Sequence, residues 1–120
     1  MFELLRRYRF EAAHRLPMVP REHRCSRLHG HTFVVEITVR GLLDPNAGWV
    51  MDYATIDVAV QPLLDQLDHR CLNEIDGLDN PTSEHLARWL WERLVPLLPA
   101  LHAITMAENP DAVCTYRGPA

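Results

Sequence analysis

The chain has 120 residues, enough for one domain with one core, and 48% of them are hydrophobic, as in ordinary globular proteins. A formal net charge of −4 gives no case for nucleic-acid binding. No apolar run approaches the roughly 18 residues needed to cross a bilayer, and the opening MFELLRRYRFEAAH has no continuous apolar stretch, so neither membrane insertion nor export is expected.

Three cysteines (Cys25, Cys71, Cys114) form no C-x-x-C, so a disulfide framework is not expected and a reducing cytoplasm is the default. All twelve basic residues are arginines. Four of them, Arg15, Arg21, Arg24 and Arg27, crowd one short segment, and the guanidinium fork suits phosphate oxygens.

In chain order, Phe2, Leu4, Tyr8, Phe10, Ala12 and His14 share even parity, with Arg6 breaking the row. The pattern predicts a strand with one buried face ending at His14. A polar loop, RLPMVPREHRCSR, follows. In HGHTFVVEITVRG, His29, His31, Phe33, Val35, Ile37 and Val39 share one face of a second strand. LDPNAGWV reads as a turn. Asp52 caps a helix expected to run to about Leu67, with Pro62 kinking or limiting it. LDHRCLNEIDGLDN reads as a connection. A second helix starts in NPTSEHLARWLWERLVPLL, with Asn80 or Thr82 as cap and Leu86, Leu90, Leu94 and Leu98 as its stripe. Two short strands, at about 101–108 and 112–117, finish the chain.

The expected order is β–β–α–α–β–β, an α+β domain over residues 1–120. Its four-stranded antiparallel sheet carries both helices on one face. So small a sheet leaves edges to cover, and oligomerisation is a natural way to cover them.

Residues two apart on a strand point the same way, so His29 and His31 project together, and Gly30 between them permits close approach. If the first two strands are neighbours, His14 joins them. Three imidazoles suit Zn²⁺ and leave a fourth position open, the pattern of a catalytic zinc. Cys25, four residues before His29, has two readings. As a fourth ligand it would close a structural site; as a non-ligand it would be a thiol beside a dication and arginines, where thiolate chemistry is favoured. Spacing alone favours the ligand. Cys71 and Cys114 read as small buried hydrophobes. Asp68 beside His69 is either an acid/base pair or a loop salt bridge, and Glu108 is either a partnered carboxylate ending an apolar face or an exposed strand-end residue.

FEAAHRL, C-x-x-x-HGH, GWVMDY, LDHRCLN, NPTSEHLARWLW and AEN…YRG occur in this order. Together they resemble the 6-pyruvoyltetrahydropterin synthase family, from about Phe2 to Gly118, and the short gap between cysteine and HGH resembles its bacterial carboxy-synthase branch. The resemblance implies the tunnelling fold, with three subunits closing a barrel and two trimers stacking as a hexamer. It implies His14, His29 and His31 as zinc ligands and Cys25, Asp68 and His69 as catalytic residues. It also implies Glu108 as the pterin anchor, and Thr82 and Ser83 as further substrate contacts. The implied substrate is 7,8-dihydroneopterin triphosphate. The implied products are 6-carboxytetrahydropterin, acetaldehyde and triphosphate, in queuosine biosynthesis. The loop arginines and His23 are candidates for triphosphate contacts. A pyruvoyl-type synthase and a non-catalytic zinc or pterin module are the alternatives. Asn109 departs from the family pattern, which carries Thr or Ser after the anchoring glutamate.

Overall fold

The computed structural model describes residues 1–120. Two long strands, β1 (Phe2–His14) and β2 (His29–Gly41), form an antiparallel hairpin whose register sets His14 opposite His29 and Ala12 opposite His31. Helix α1 (Tyr53–Leu67) follows, then a two-residue strand β3 (Arg70–Cys71), helix α2 (Ser83–Leu94), and strands β4 (Leu101–Asn109) and β5 (Ala112–Tyr116). The sheet order is β3-β1-β2-β4-β5.

The expected four-stranded antiparallel sheet is therefore corrected to five strands. The extra one, β3, runs parallel to β1 at Ala12 and Ala13. Two residues carry no readable period, so the sequence presents them as connection. The other pairings are antiparallel.

Alternation sorts the two faces. Phe10 and Ala12 of β1, Phe33, Val35, Ile37 and Val39 of β2, and Ile104 and Met106 of β4 turn inward. They meet Ile56, Val60, Leu63, Leu64 and Leu67 of α1 and Leu86, Leu90 and Leu94 of α2 in one core cluster. Truncating any one of these fully buried leucines would cost about 2–5 kcal/mol. Both helices thus cover the same face. Arg6 reaches α1 while remaining exposed: it grips Asp57 through Nε at 2.9 Å and Nη2 at 3.0 Å.

The helix starts follow the capping rules. Asp52 Oδ1 accepts from Ala54 N at 2.9 Å, and Thr82, not Asn80, caps α2 by accepting from His85 N at 3.2 Å. Each cap contributes about 1 kcal/mol. Pro62 does not limit α1, which runs through it to Leu67. A proline lacks the N–H that would bond the carbonyl four residues back. That residue, Val58, is 76% exposed, so the freed acceptor lies on the solvent-facing side of the helix.

Candidate active site

The hairpin register builds the site. His14 faces His29 directly, and His31 lies on the diagonal, within reach across neighbouring strands. The ring centroids of His14 lie 4.6 Å from His29 and 5.1 Å from His31, and those of His29 and His31 are 4.9 Å apart. Phe33 packs beneath His14 and His31 at 5.6 and 5.4 Å and forms an apolar floor.

Two backbone carbonyls orient these rings. His14 Nδ1 donates to Pro81 O at 2.8 Å and His29 Nδ1 donates to Arg27 O at 2.7 Å. A carbonyl only accepts, so each Nδ1 carries the proton and each Nε2 keeps a lone pair. His14 Nε2 and His31 Nε2 are buried without a partner. Buried polar atoms are rarely left unmatched, and a carbonyl-backed histidine is the usual support of a metal ligand. One potential ligand atom from each of the three histidines lies within 4.8 Å of the others. The donor set fits a divalent transition metal. Burial, with the neighbouring His29 and His31, holds the His14 imidazole below the usual histidine range despite the Pro81 bond and the nearby Glu108, which favours the neutral, ligating form.

Cys25 sits on a short 3-10 turn, Arg24–Ser26, half-buried, and its sulfur is not among the clustered ligand atoms. The turn is nevertheless tied to the site. Leu16 N, two residues past His14, donates to Cys25 O at 2.8 Å, and the turn's exit residue Arg27 supplies the carbonyl that orients His29.

Glu108 owes its position to an irregularity. Ala107 pairs with Val113 and Asn109 with Ala112, which leaves Glu108 as the extra residue of a bulge. Bulges re-aim side chains. Here one carboxylate oxygen lies 3.8 Å from His31 Nε2, and the other accepts from Ser83 Oγ at 3.3 Å. Thr82 Oγ1 serves as the helix cap, so of this pair only Ser83 reaches Glu108.

Asp68 and His69 follow α1 and dock on the edge of β1. Asp68 Oδ1 accepts from Glu11 N at 2.9 Å, and Asp68 Oδ2 lies 3.0 Å from His69 Nδ1. The Glu11 amide, then His69, hold the Asp68 carboxyl below the usual carboxylate range. His69 has φ 58°, the only non-glycine residue in the left-handed region. Such backbone costs about 1–3 kcal/mol and persists where the surroundings impose it, commonly at functional sites. The His69 ring is 77% exposed and borders an open cleft of about 550 Å³ that also reaches His31 and Gly30.

A second cleft, about 790 Å³, joins Gly30 and His31 to Glu108 and Asn109. A Cβ on Gly30 would lie 3.5 Å from Ala12 O, an ordinary contact, so packing within the chain does not require glycine there. Gly30 is open because the clefts on both sides of it are open.

The sequence-level reading of Cys71 and Cys114 as buried hydrophobes is corrected, since both are half-buried. Cys71 borders the cleft beside His69, and Cys114 borders a smaller one with Ser83 and Glu108. Burial, then the nearby Glu84, pushes the Cys114 thiol up. The carbonyls of Pro81 and Arg27 had no sequence signal, because any residue supplies a carbonyl and only the fold aims it.

A family model described as 6-pyruvoyl tetrahydropterin synthase matches residues 3–119. A Synechocystis protein named 6-carboxy-5,6,7,8-tetrahydropterin synthase is 34% identical over 125 aligned positions, covering 99% of this chain and 95% of the relative. A Pyrococcus furiosus protein named dihydroneopterin monophosphate aldolase is 40% identical over 96 positions, covering 80% and 77%. The solved structure of Caenorhabditis elegans 6-pyruvoyl tetrahydropterin synthase superposes with a TM-score of 0.91 at 30% identity, covering 98% of this chain and 96% of that one. With its histidine group at the head of the β1–β2 hairpin, this chain belongs to the 6-pyruvoyl tetrahydropterin synthase family of lyase-type enzymes.

Proposed function

We propose that this protein is a zinc-dependent lyase converting 7,8-dihydroneopterin triphosphate to 6-carboxy-5,6,7,8-tetrahydropterin, with release of acetaldehyde and triphosphate, in queuosine biosynthesis. The observation that carries the reading is the trio of converging imidazoles, His14 and His29 oriented by carbonyls and His14 and His31 with a buried unpartnered Nε2, beside Glu108 and the His69 cleft. The nearly full-length likeness to the Synechocystis protein of that name supports the choice of product.

His14, His29 and His31 would hold the metal through nitrogen. Zinc bound there supplies Lewis-acid polarisation of the substrate's side-chain hydroxyls. Glu108 accepts N–H bonds from the aminopyrimidine ring, a bidentate match for a carboxylate. Cys25, as thiolate, takes a proton from the side-chain carbon next to the ring, and His69, oriented by Asp68, is the complementary acid or base. Moving protons from side chain to ring reduces the pterin and oxidises the side chain, so no nicotinamide is required. Triphosphate leaves by elimination; water then adds to the carbonyl beside the ring, the bond to the neighbouring carbonyl carbon breaks, and that carbon takes a proton and leaves as acetaldehyde, the ring keeping the carboxylate. Ser83, bonded to Glu108, and Thr82, at the cap beside it, are the further substrate contacts at this end. The working assembly in this reading is a cytoplasmic homohexamer of two stacked trimers, each chain contributing one domain.

The Pyrococcus relative favours a second reading, cleavage of the same side chain by an aldolase acting on a monophosphate. Incubating the zinc-loaded protein with dihydroneopterin triphosphate and following products by mass spectrometry separates the possibilities. Acetaldehyde with carboxytetrahydropterin is the expected result. Pterin product without acetaldehyde indicates a pyruvoyl-type synthase, a two-carbon aldehyde released with its phosphate still attached indicates the aldolase, and no turnover of the triphosphate or, in a parallel incubation, of the monophosphate indicates a binding module.

A further inference from the structure

We infer that the cleft bounded by Arg15, Arg21, Ser26 and Arg27 is a polyphosphate subsite, which in the proposed reaction holds the triphosphate end of the substrate. The second clause rests on the function proposed above; the first does not.

The cleft has a volume of about 480 Å³, and its six lining residues are these four with Pro17 and Val19. Three are cations and none is a carboxylate. None of Arg15, Arg21, Arg24 or Arg27 takes part in any of the chain's ion pairs, whereas Arg6, Arg7 and Arg40 are all paired. Exposed arginines scattered singly would carry no argument. Three converging on one cleft without a counter-charge repel one another, and an anion relieves that repulsion.

The walls are built rather than slack. Leu16 N donates to Cys25 O at 2.8 Å, and Ser26 Oγ donates to Arg21 O at 2.8 Å. Arg15 exchanges two bonds with Asn73, N to Oδ1 at 2.9 Å and O from Nδ2 at 2.8 Å. Pro17 and Pro20 restrict the intervening backbone. Arg24 does not line the cleft, and His23 Nδ1 is engaged by Cys25 N, so the subsite is narrower than the whole basic loop.

Its place matches the shape of the substrate, which is ring, short carbon chain, then phosphates. Glu108, suited to the ring, lies against His31. His29 is two residues back along β2, toward the loop, and Arg27, which holds His29 by its carbonyl, is the first arginine of the cleft beyond it. Arg15 likewise directly follows His14. Ring anchor, metal group and arginines therefore follow one another in substrate order. Of the other arginines near the site without an ion pair, Arg9 shares a cleft with Glu108 and so lies at the ring end, and Arg70 borders the cleft of His31 and His69.

The test is calorimetric titration of inorganic tripolyphosphate into the zinc-loaded protein and into the Arg15→Gln/Arg21→Gln/Arg27→Gln variant. Zinc content is measured afterwards, because polyphosphates chelate metals. The expected result is saturable binding to the parent and at least about tenfold weaker binding to the variant, at equal zinc content and helicity. In steady state the KM for dihydroneopterin triphosphate rises about tenfold or more, while binding of unphosphorylated dihydroneopterin is unchanged. Equal tripolyphosphate affinity in the two proteins, no binding to the parent, or loss of binding in Arg9→Gln instead would overturn the proposal. If the triple variant does not fold, the three single variants decide by the same titration. Binding that follows the arginines in a protein that releases no acetaldehyde upholds the subsite and sinks only the proposed reaction.

Discussion

His14 Nδ1 donates to the Pro81 carbonyl at 2.8 Å, and that one bond joins the end of β1 to the threshold of α2. It fixes the ring's tautomer and aims Nε2 at the space shared with His29 and His31. The Arg27 carbonyl does the same for His29 from the other side. Ligand orientation is thus delegated to backbone, which no side-chain substitution removes.

The separation of metal binding from the thiol gives the first prediction. Cys25 lies on a turn outside the group of ligand atoms, so Cys25→Ala retains stoichiometric zinc and an unchanged unfolding midpoint. As the proposed proton acceptor its loss lowers turnover by about 10²–10⁴-fold. Elemental analysis, thermal melts and product assay on one preparation check it; loss of zinc in the variant would restore the thiol to the metal shell.

His69 gives the opposite relation between stability and activity. Its φ of 58° favours glycine, and its exposed ring contributes little to packing. His69→Gly should leave the protein at least as stable, by up to about 1 kcal/mol, because relief of left-handed strain offsets the added freedom of the unfolded chain. Activity should fall by at least about a hundredfold. Denaturant unfolding and steady-state rates together test this, and a clearly destabilised glycine variant would show that the ring is structural.

Gly30 separates fold from substrate access. A methyl there meets only ordinary contact within the chain, yet it would project from the strand face opposite His29 and His31 into the clefts that border Gly30. Gly30→Ala should therefore fold and keep zinc while its KM rises about tenfold or more, as expected when about 1–3 kcal/mol of overpacking is transferred to the bound ligand. Unchanged kinetics would mean that the substrate does not pass this strand.

Much of this was legible in sequence because period carries it. The even row of β1, the odd row of β2 and the leucine stripe of α2 are long enough to read, and shared parity placed His29 and His31 together. Convergence with His14 needed only that the two strands pair, which the register does. What escaped is what has no period. Arg70–Cys71 is too short to alternate, the bulge at Glu108 is a count of partners across two strands, and Pro81 acts through its carbonyl. The position of Cys25 could not be settled by spacing, since four intervening steps of loop reach either into or past a metal shell. Arg6 broke the row of β1 for a reason found only on α1.

That break supplies the last prediction. Asp57 of α1 takes two bonds from Arg6 and one, at 2.5 Å, from the Tyr8 hydroxyl. The Arg6 bond first, then that of Tyr8, holds the Asp57 carboxyl below its usual value, while desolvation and then the Asp57 bond push the Tyr8 phenol up. A depressed carboxyl binds fewer protons folded than unfolded, so its contribution is complete above the unfolded value near 3.8 and is lost as pH falls through the lower folded one. The raised phenol contributes below its unfolded value near 10 and loses that contribution only in stronger alkali. The clamp therefore operates across the whole neutral range. Both carboxylate and guanidinium are well exposed, so solvent screens the ion pair and the phenol bond carries more of the effect. Tyr8→Phe should cost about 1 kcal/mol at pH 7 and move the acid unfolding midpoint to higher pH, whereas salt should weaken the parent's clamp only slightly. Acid titrations followed by circular dichroism, parent against Tyr8→Phe, measure both shifts, and coincident acid limbs would show that β1 and α1 are held by the core alone.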